Sequence, residues 1–460
     1  MFDQGALAID VAAIDRTRQA LERYCAQVRD LVRASDGAVP SAVYELSTSA
    51  SPEFAQRVLD DRALEQVKVP SVATCVAKLV VRETLKMLVL SATGLLWRMR
   101  HGRVAMRSLR ESTAVQVGFV AIREGRAVAH DFHGFTETVL RDQRVAVLGR
   151  RLPQESMRTY LGYCRPPVVA IEAYLRWSDL WSGLTAAIRL RRRVASLSAT
   201  RGTVVEQHVN ADIVSGHMMS GWMMARAVIR LVTRHTAPET PVCLPMERHD
   251  WETLVTQSLS DRNRAVWAVQ NCTFSPLDLN MYAAVGGAPR YRSAVPQRLF
   301  VVSQSWGTIF AELGMRAPPT ILEQHRFSAQ RLPLRLAPGV RRILYIGSIN
   351  AQKVIRDLQA LRTLRGSVEV EIRLHPSCAN LPAAADFIRQ PGLDGTYGAC
   401  VFADTTMVFQ LETDRSRLVF LDHPGFPNQN PAAFFASWPG KTVVWGDQQS
   451  AASELARLLE

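Results

Sequence analysis

A histidine and a pair of threonines stand where short apolar runs give way to polar turns. Ile372-Arg373-Leu374-His375-Pro376-Ser377 closes the run Val368 to Leu374, whose alternating, β-branched pattern predicts a strand. Pro376 fixes φ and stops that strand. Ala399 to Ala403 is a short apolar run of the kind a buried parallel strand shows, and it ends on Asp404-Thr405-Thr406 before a helical pattern. In open α/β sheets, ligands bind outside the carboxyl ends of the strands, where loops and helix starts offer donors to anions. An imidazole at one strand end and paired hydroxyls at another suit the phosphate of a nucleotide leaving group. His375 would donate to a phosphate oxygen, and Thr405 and Thr406 would add hydroxyl and backbone donors. Gly347-Ser348, after the run Arg341 to Ile346, forms a glycine turn where backbone can approach a nucleotide. The plain structural readings are a turn histidine and threonine N-caps.

Two further segments could supply a base. Glu247-Arg248-His249-Asp250-Trp251-Glu252 follows the apolar run Pro241 to Pro245 and opens a helix. Glu247, at a strand end, can accept a proton or hold a hydroxyl. It can equally be a helix-start carboxylate, with Asp250 as N-cap and Trp251 packed inward. Glu252 reads as structural. The loop His130-Asp131-Phe132-His133-Gly134-Phe135-Thr136-Glu137 offers Asp131 and His133 as the rival base, or else a capped helix start. His-x-x-His gives only two ligands, and no metal or other cofactor is expected.

These residues need elements to place them. Residues 1–110 read mainly as helix: Leu7 to Val32, Pro52 to Leu64, and a third from Val72 towards Met106. From Val115 the pattern changes to strands alternating with helices, which predicts a parallel sheet wrapped by helices. The strand-like runs are Val115 to Ile122, Val145 to Leu148, Val168 to Ile171, Thr203 to Val205, Pro241 to Pro245, Ala265 to Val269 and Arg298 to Val302. Ala317 to Gly339 is proline-spaced and reads as a connector. A second alternating unit follows: Arg341 to Gly347, Val368 to Leu374, Ala399 to Ala403, Leu418 to Leu421, Thr442 to Trp445 and a last helix, Gln449 to Leu459.

The composition is that of a globular chain, 47% hydrophobic and 21% charged over 460 residues, which argues against disorder. Met1 to Asp10 carries acids where a secretion signal would be basic and then apolar. The longest apolar run, Met87 to Trp97, is shorter than the ~20 residues of a membrane span. Seven scattered cysteines give neither a disulfide framework nor zinc spacing, so a reducing cytoplasm is expected. The net charge of +13 is uneven. Lys78 to Arg126 is strongly basic, which predicts either an anionic membrane surface as partner or a solvated basic face. No nucleic-acid-binding pattern accompanies it.

The paired motifs of the second unit resemble the C-terminal half of a GT-B glycosyltransferase. They are similar in particular to bacterial sialyltransferases and to capsule and surface-carbohydrate biosynthesis transferases. Those families carry a His-Pro after one strand and a Ser/Thr pair after a later one; His375-Pro376-Ser377 and Thr405-Thr406 would fill those places on the donor phosphate. Glu247 to Glu252 matches the Glu-x-x-x-Trp-Glu pattern associated with them, while Asn271 stands where a histidine is expected. The resemblance implies two Rossmann-like domains facing a cleft, an acceptor domain over residues 111–325 and a donor domain over 339–460, behind a helical region. It implies transfer from a nucleotide-sugar to a surface-polysaccharide or lipid-linked acceptor, metal-independent and inverting, in the cytoplasm at the inner face of the membrane. The rivals are a nucleotide-sugar hydrolase or epimerase, and a catalytically silent membrane-associated scaffold.

Overall fold

The computed structural model describes residues 72–123, 126–129, 132, 134–151, 155–196, 213, 216–246, 250–270, 295–302, 307, 317–322, 334–348, 351–364, 366–375, 378–389, 395–402, 417–422 and 441–444, with alternate residues from 453 to 459. The first elements are α1 (Val72–Glu111), β1 (Ala114–Arg123), β2 (Arg126–Ala129), α2 (Phe135–Thr138), β3 (Val145–Arg150), α3 (Met157–Tyr163) and β4 (Val168–Ala170). There follow α4 (Trp177–Ser196), α5 (His217–His235), β5 (Val242–Pro245), α6 (Asp250–Ser260), β6 (Val266–Val269), β7 (Arg298–Val301) and β8 (Pro319–Ile321). Then come β9 (Leu334–Leu336), β10 (Arg342–Ile346), α7 (Ala351–Leu361), β11 (Glu369–Arg373) and β12 (Ile388–Arg389). The last strands are β13 (Gly395–Tyr397), β14 (Ala399–Phe402), β15 (Leu418–Asp422) and β16 (Lys441–Val444).

The chain is α/β with two large sheets. The first runs β4-β3-β1-β5-β6-β7-β8, all parallel, with β2 folded back antiparallel on β1. It starts at β1, builds outward to β4, then returns past β1 to build the other side. The second runs β12-β11-β10-β14-β15-β16, all parallel, with the same winding about β10. Both are doubly wound, so each has a topological switch point: between β1 and β5, and between β10 and β14. The strands are apolar on both faces, as parallel strands covered by helices must be: β5 and β14 are buried at every residue. Each sheet has its own core, Val115, Leu148, Val169 and Leu244 in the first, Ile343, Val354, Ile372 and Val419 in the second.

Helix α1 packs one face onto the first sheet's layer through Met87, Leu90, Trp97, Ala105 and Leu109. The Trp97 indole donates to the Cys164 carbonyl at 2.9 Å. Gly94 lets the helix close on backbone, since a Cβ there would lie 2.9 Å from the Ala173 Cα. The opposite face leaves Val81, Leu85, Leu88, Val89, Leu95, Leu96 and Met99 exposed. No described helix is long and apolar enough to cross a membrane.

The strands expected at Val115, Val145, Val168, Pro241, Ala265, Arg298, Arg341, Val368, Ala399, Leu418 and Thr442 all form, within a residue or two of the expected ends. The one at Thr203 to Val205, like all residues before 72, lies outside the described residues. The proline-spaced connector is corrected: it contributes β8 to the edge of the first sheet and β9, which pairs with β13. Neither β8 nor β9 is buried along its length, so unlike the three-residue β4 they show no apolar run to read, and Pro319 is tolerated because it opens its strand.

Asp179 joins the covering helices. Fully buried, it accepts from the Arg176 backbone N at 3.0 Å and from Arg230 at 2.8 and 2.9 Å, with Arg226 at 3.3 Å. Removing one partner of a buried pair strands the other charge. Asp179→Ala should therefore lose about 3–5 kcal/mol in a denaturant titration; a loss below about 1 kcal/mol, the size of a surface pair, would contradict this role.

Candidate functional site

The carboxyl edge of the second sheet brings three of the expected residues together. β10 and β11 are in register to Ile346↔Arg373, and the ladder continues one step as the Gly347 N–H donates to the Arg373 carbonyl at 2.9 Å. Past that point the chains part into two turns. His375 opens one, its carbonyl accepting from the Cys378 N–H at 2.8 Å; the Cys378 thiol donates to the Ser348 carbonyl of the other at 3.5 Å. Gly347 is small for a packing reason. A Cβ there would lie 2.8 Å from Leu374 Cδ2 and 3.4 Å from Tyr345 and Val354. The His375 imidazole reaches solvent, while partial desolvation lowers its pKa from the ordinary 6.5. It is thus neutral at pH 7, able to donate from one ring nitrogen without carrying charge. Ser348 is fully buried.

Beneath these turns lies a polar layer that sequence reasoning missed. Lys353, in the first turn of α7, is 1% exposed, and Asp357 one turn on is fully buried and accepts from the Tyr345 hydroxyl at 2.5 Å. The available signal was a lysine and an aspartate four apart beside the apolar stripe Val354, Leu358 and Leu361. Pro376, Ser377, Thr405 and Thr406 lie outside the described residues. β14 is described to Phe402, where it ends beside β10 at the switch point.

In the first sheet the segment after β2 is held back against the middle of the strands. Gln116 of β1 is buried and donates to Thr136 Oγ at 2.7 Å, and the Glu137 carboxylate accepts from the Gly134 N–H at 2.6 Å. Gly134 has φ 84°, a left-handed conformation that glycine adopts without strain. The capped helix start expected for this loop is therefore present, and the fully buried Phe132 and Phe135 pin it. Asp131 and His133, either side of Phe132, lie outside the described residues, as do Glu247 and Asn271.

A recess opens at the carboxyl ends of β5 and β6, lined by Pro245, Met246, Glu252, Thr253 and Thr256. Its carboxylate is Glu252, 3% exposed, and Trp251 packs inward as its helix-start reading requires. Arg150 at the end of β3 stacks against that indole. Among the described residues no group of three His, Cys, Asp or Glu side chains converges to hold a metal ion.

No protein-family model matches this chain, nor does any curated protein. Among solved structures it is similar to CalG4, the calicheamicin glycosyltransferase, at 10% identity and a TM-score of 0.39, over 75% of this chain and 90% of that one.

The lowered pKa of His375 fixes a sign. The unfolded chain takes up this proton at the ordinary 6.5 and the folded chain only at lower pH. Stability from this group is present above 6.5 and lost as pH falls below it. The imidazole should titrate below 6.5 by NMR, and His375→Gln should remove its share of the acid-side loss. A midpoint at or above 6.5 in the free protein would contradict the desolvated setting.

Proposed function

We propose that the chain is a metal-independent, inverting glycosyltransferase of GT-B plan, with an acceptor domain over residues 111–325 and a donor domain over 339–460. The observation that supports this most is the second doubly wound sheet, which carries a neutral, solvent-reaching imidazole at the carboxyl end of β11, one strand from its switch point. Ligands of open α/β sheets bind at that edge. In the proposed reaction an acceptor hydroxyl attacks the anomeric carbon while a carboxylate takes its proton. The bond to the nucleotide phosphate breaks, and His375 with Thr405 and Thr406 stabilises the departing oxygen. The Gly347-Ser348 turn would supply close backbone, and Pro376 and Ser377 are proposed to contact the donor beside His375. Glu247 is the proposed base, and the Asp131/His133 loop its rival.

The experiment is a panel of nucleotide-sugars assayed for binding and transfer. His375→Ala should reduce kcat by ~10²–10³, the effect of removing one preorganised donor to a developing anion, while leaving the melting temperature nearly unchanged. Of Glu247→Gln and Asp131→Asn, one should abolish transfer and spare nucleotide binding. Nucleotide binding without turnover on any donor would favour a silent scaffold. Release of free sugar, or its interconversion, would favour a hydrolase or epimerase.

The proposed acceptor is a surface glycan or lipid-linked sugar, reached at the inner face of the membrane. Support comes from α1, whose exposed Leu85, Leu88, Leu96 and Met99 share the helix with exposed Arg82, Lys86 and Arg107. Apolar contact plus ~1 kcal/mol per basic residue near anionic lipid would hold it there. The full chain should bind phosphatidylserine vesicles and release as salt shortens the Debye length to ~3 Å at 1 M. Equal binding to neutral vesicles, or none to either, would sink this part.

A further inference from the structure

An arginine with no acid partner among the described residues sits at the carboxyl edge of the first sheet. Arg150 is the last residue of β3 and stands in register with Phe119 of β1. Its guanidinium carbon lies 4.9 Å from the Phe119 ring centroid and 4.5 Å from that of Trp251. Trp251 comes from the first turn of α6, just after β5. The three side chains therefore join β1, β3 and the β5–α6 connection, on the two sides of the switch point. Among the described residues Arg150 forms no ion pair and no hydrogen bond, and its Nε is buried with no acceptor. The carboxylates of the neighbouring segment point their paired oxygens elsewhere, and among the described residues the second Glu172 oxygen is buried without a partner. Glu172 accepts from the Arg151 N–H at 2.9 Å, and Glu155 from the Tyr163 hydroxyl at 2.5 Å.

Two aromatic rings against a guanidinium leave the donors of its terminal amino groups to meet a ligand. A partly buried cation with unused donors at the edge where open sheets bind ligands calls for an oxyanion, which a planar fork takes bidentately. We propose that Arg150, clamped by Phe119 and Trp251, anchors an anionic oxygen group, carboxylate or phosphate, of the acceptor substrate. The acceptor assignment rests on the transferase reading; the anion site does not.

The test is equilibrium binding of three probes to the full chain, followed by isothermal titration: inorganic phosphate, glucuronate and an alkyl phosphate. Wild type should bind at least one of them. Arg150→Met, which keeps much of the stacked bulk, should weaken that binding by about tenfold or more, the effect of losing a charge-assisted pair. Arg150→Lys should fall between, since it keeps the charge and loses the fork. Melting temperatures identify any variant that fails to fold; Arg150→Lys then carries the comparison. Preference for glucuronate assigns an acidic sugar, and preference for the alkyl phosphate assigns a phosphate-linked acceptor. No binding to wild type, or equal binding by a folded variant, overturns the proposal. Nucleotide binding is titrated on the same samples. Its failure alone counts against the transferase reading and leaves the anion site standing.

Discussion

The reversal of winding at β1 and at β10 is the constraint on which the rest of the structure depends. Parallel strands need crossover connections, and these are right-handed, so building outward from the first strand in both directions puts the helices of each direction on opposite faces. At the reversal, successive loops part and leave the carboxyl edge open. What the sequence places there lies where open sheets bind ligands, and what it places one residue earlier is core. Arg150 and His375 are on the open side of that line. Gly347 sits on the line itself, where the absence of a Cβ lets Leu374 close over it and sets where the His375 turn begins.

That edge is held from beneath by buried polar contacts. Tyr345 reaches from β10 to Asp357 on α7, and Tyr397 donates to Glu371 on β11 at 2.6 Å. At the other end of β10 the partly exposed Arg342 lies 3.5 Å from the same buried Glu371. Each ties a strand of the second sheet to a neighbour through a group that is costly to leave unpaired. Such contacts fix positions more strictly than apolar packing, which tolerates exchange of similar volumes. Strands β10 and β11 carry both candidate turns, so their register decides whether Gly347-Ser348 and His375 stay adjacent.

Much of this could be read in the sequence, and what could not be read shares a cause. Alternating or continuous apolar runs revealed the long strands, because period and burial are local properties. Strands β2, β8 and β9 lack the continuous buried apolar run that marks β4, β5 and β14, and each is fixed by a partner strand. His375 was visible because a histidine ends a recognisable strand. Arg150 was not, because its meaning depends on Phe119 and Trp251, which only the winding of the sheet brings to it. Glu252 read as a helix-start carboxylate, and its place in a recess follows from β6 lying beside β5. Lys353 and Asp357 fell on the buried side of α7, a helix that was not read from the sequence.

The two edges also differ in how they can hold an anion. His375 is neutral at pH 7 and gains charge only when a partner raises its pKa, so its hold on an anion is weak in the free protein and strengthens as negative charge develops. Arg150 is a guanidinium whose stacking partners fix its plane, so its hold is constant. A group that must stabilise a leaving oxygen gains from the first behaviour, because binding ground state and transition state equally does not raise kcat. A group that orients a substrate through a remote charge gains from the second, because position matters there and differential binding does not. The proposed division of labour, donor phosphate at His375 and acceptor anion at Arg150, follows the chemistry of each side chain as well as its place in the fold.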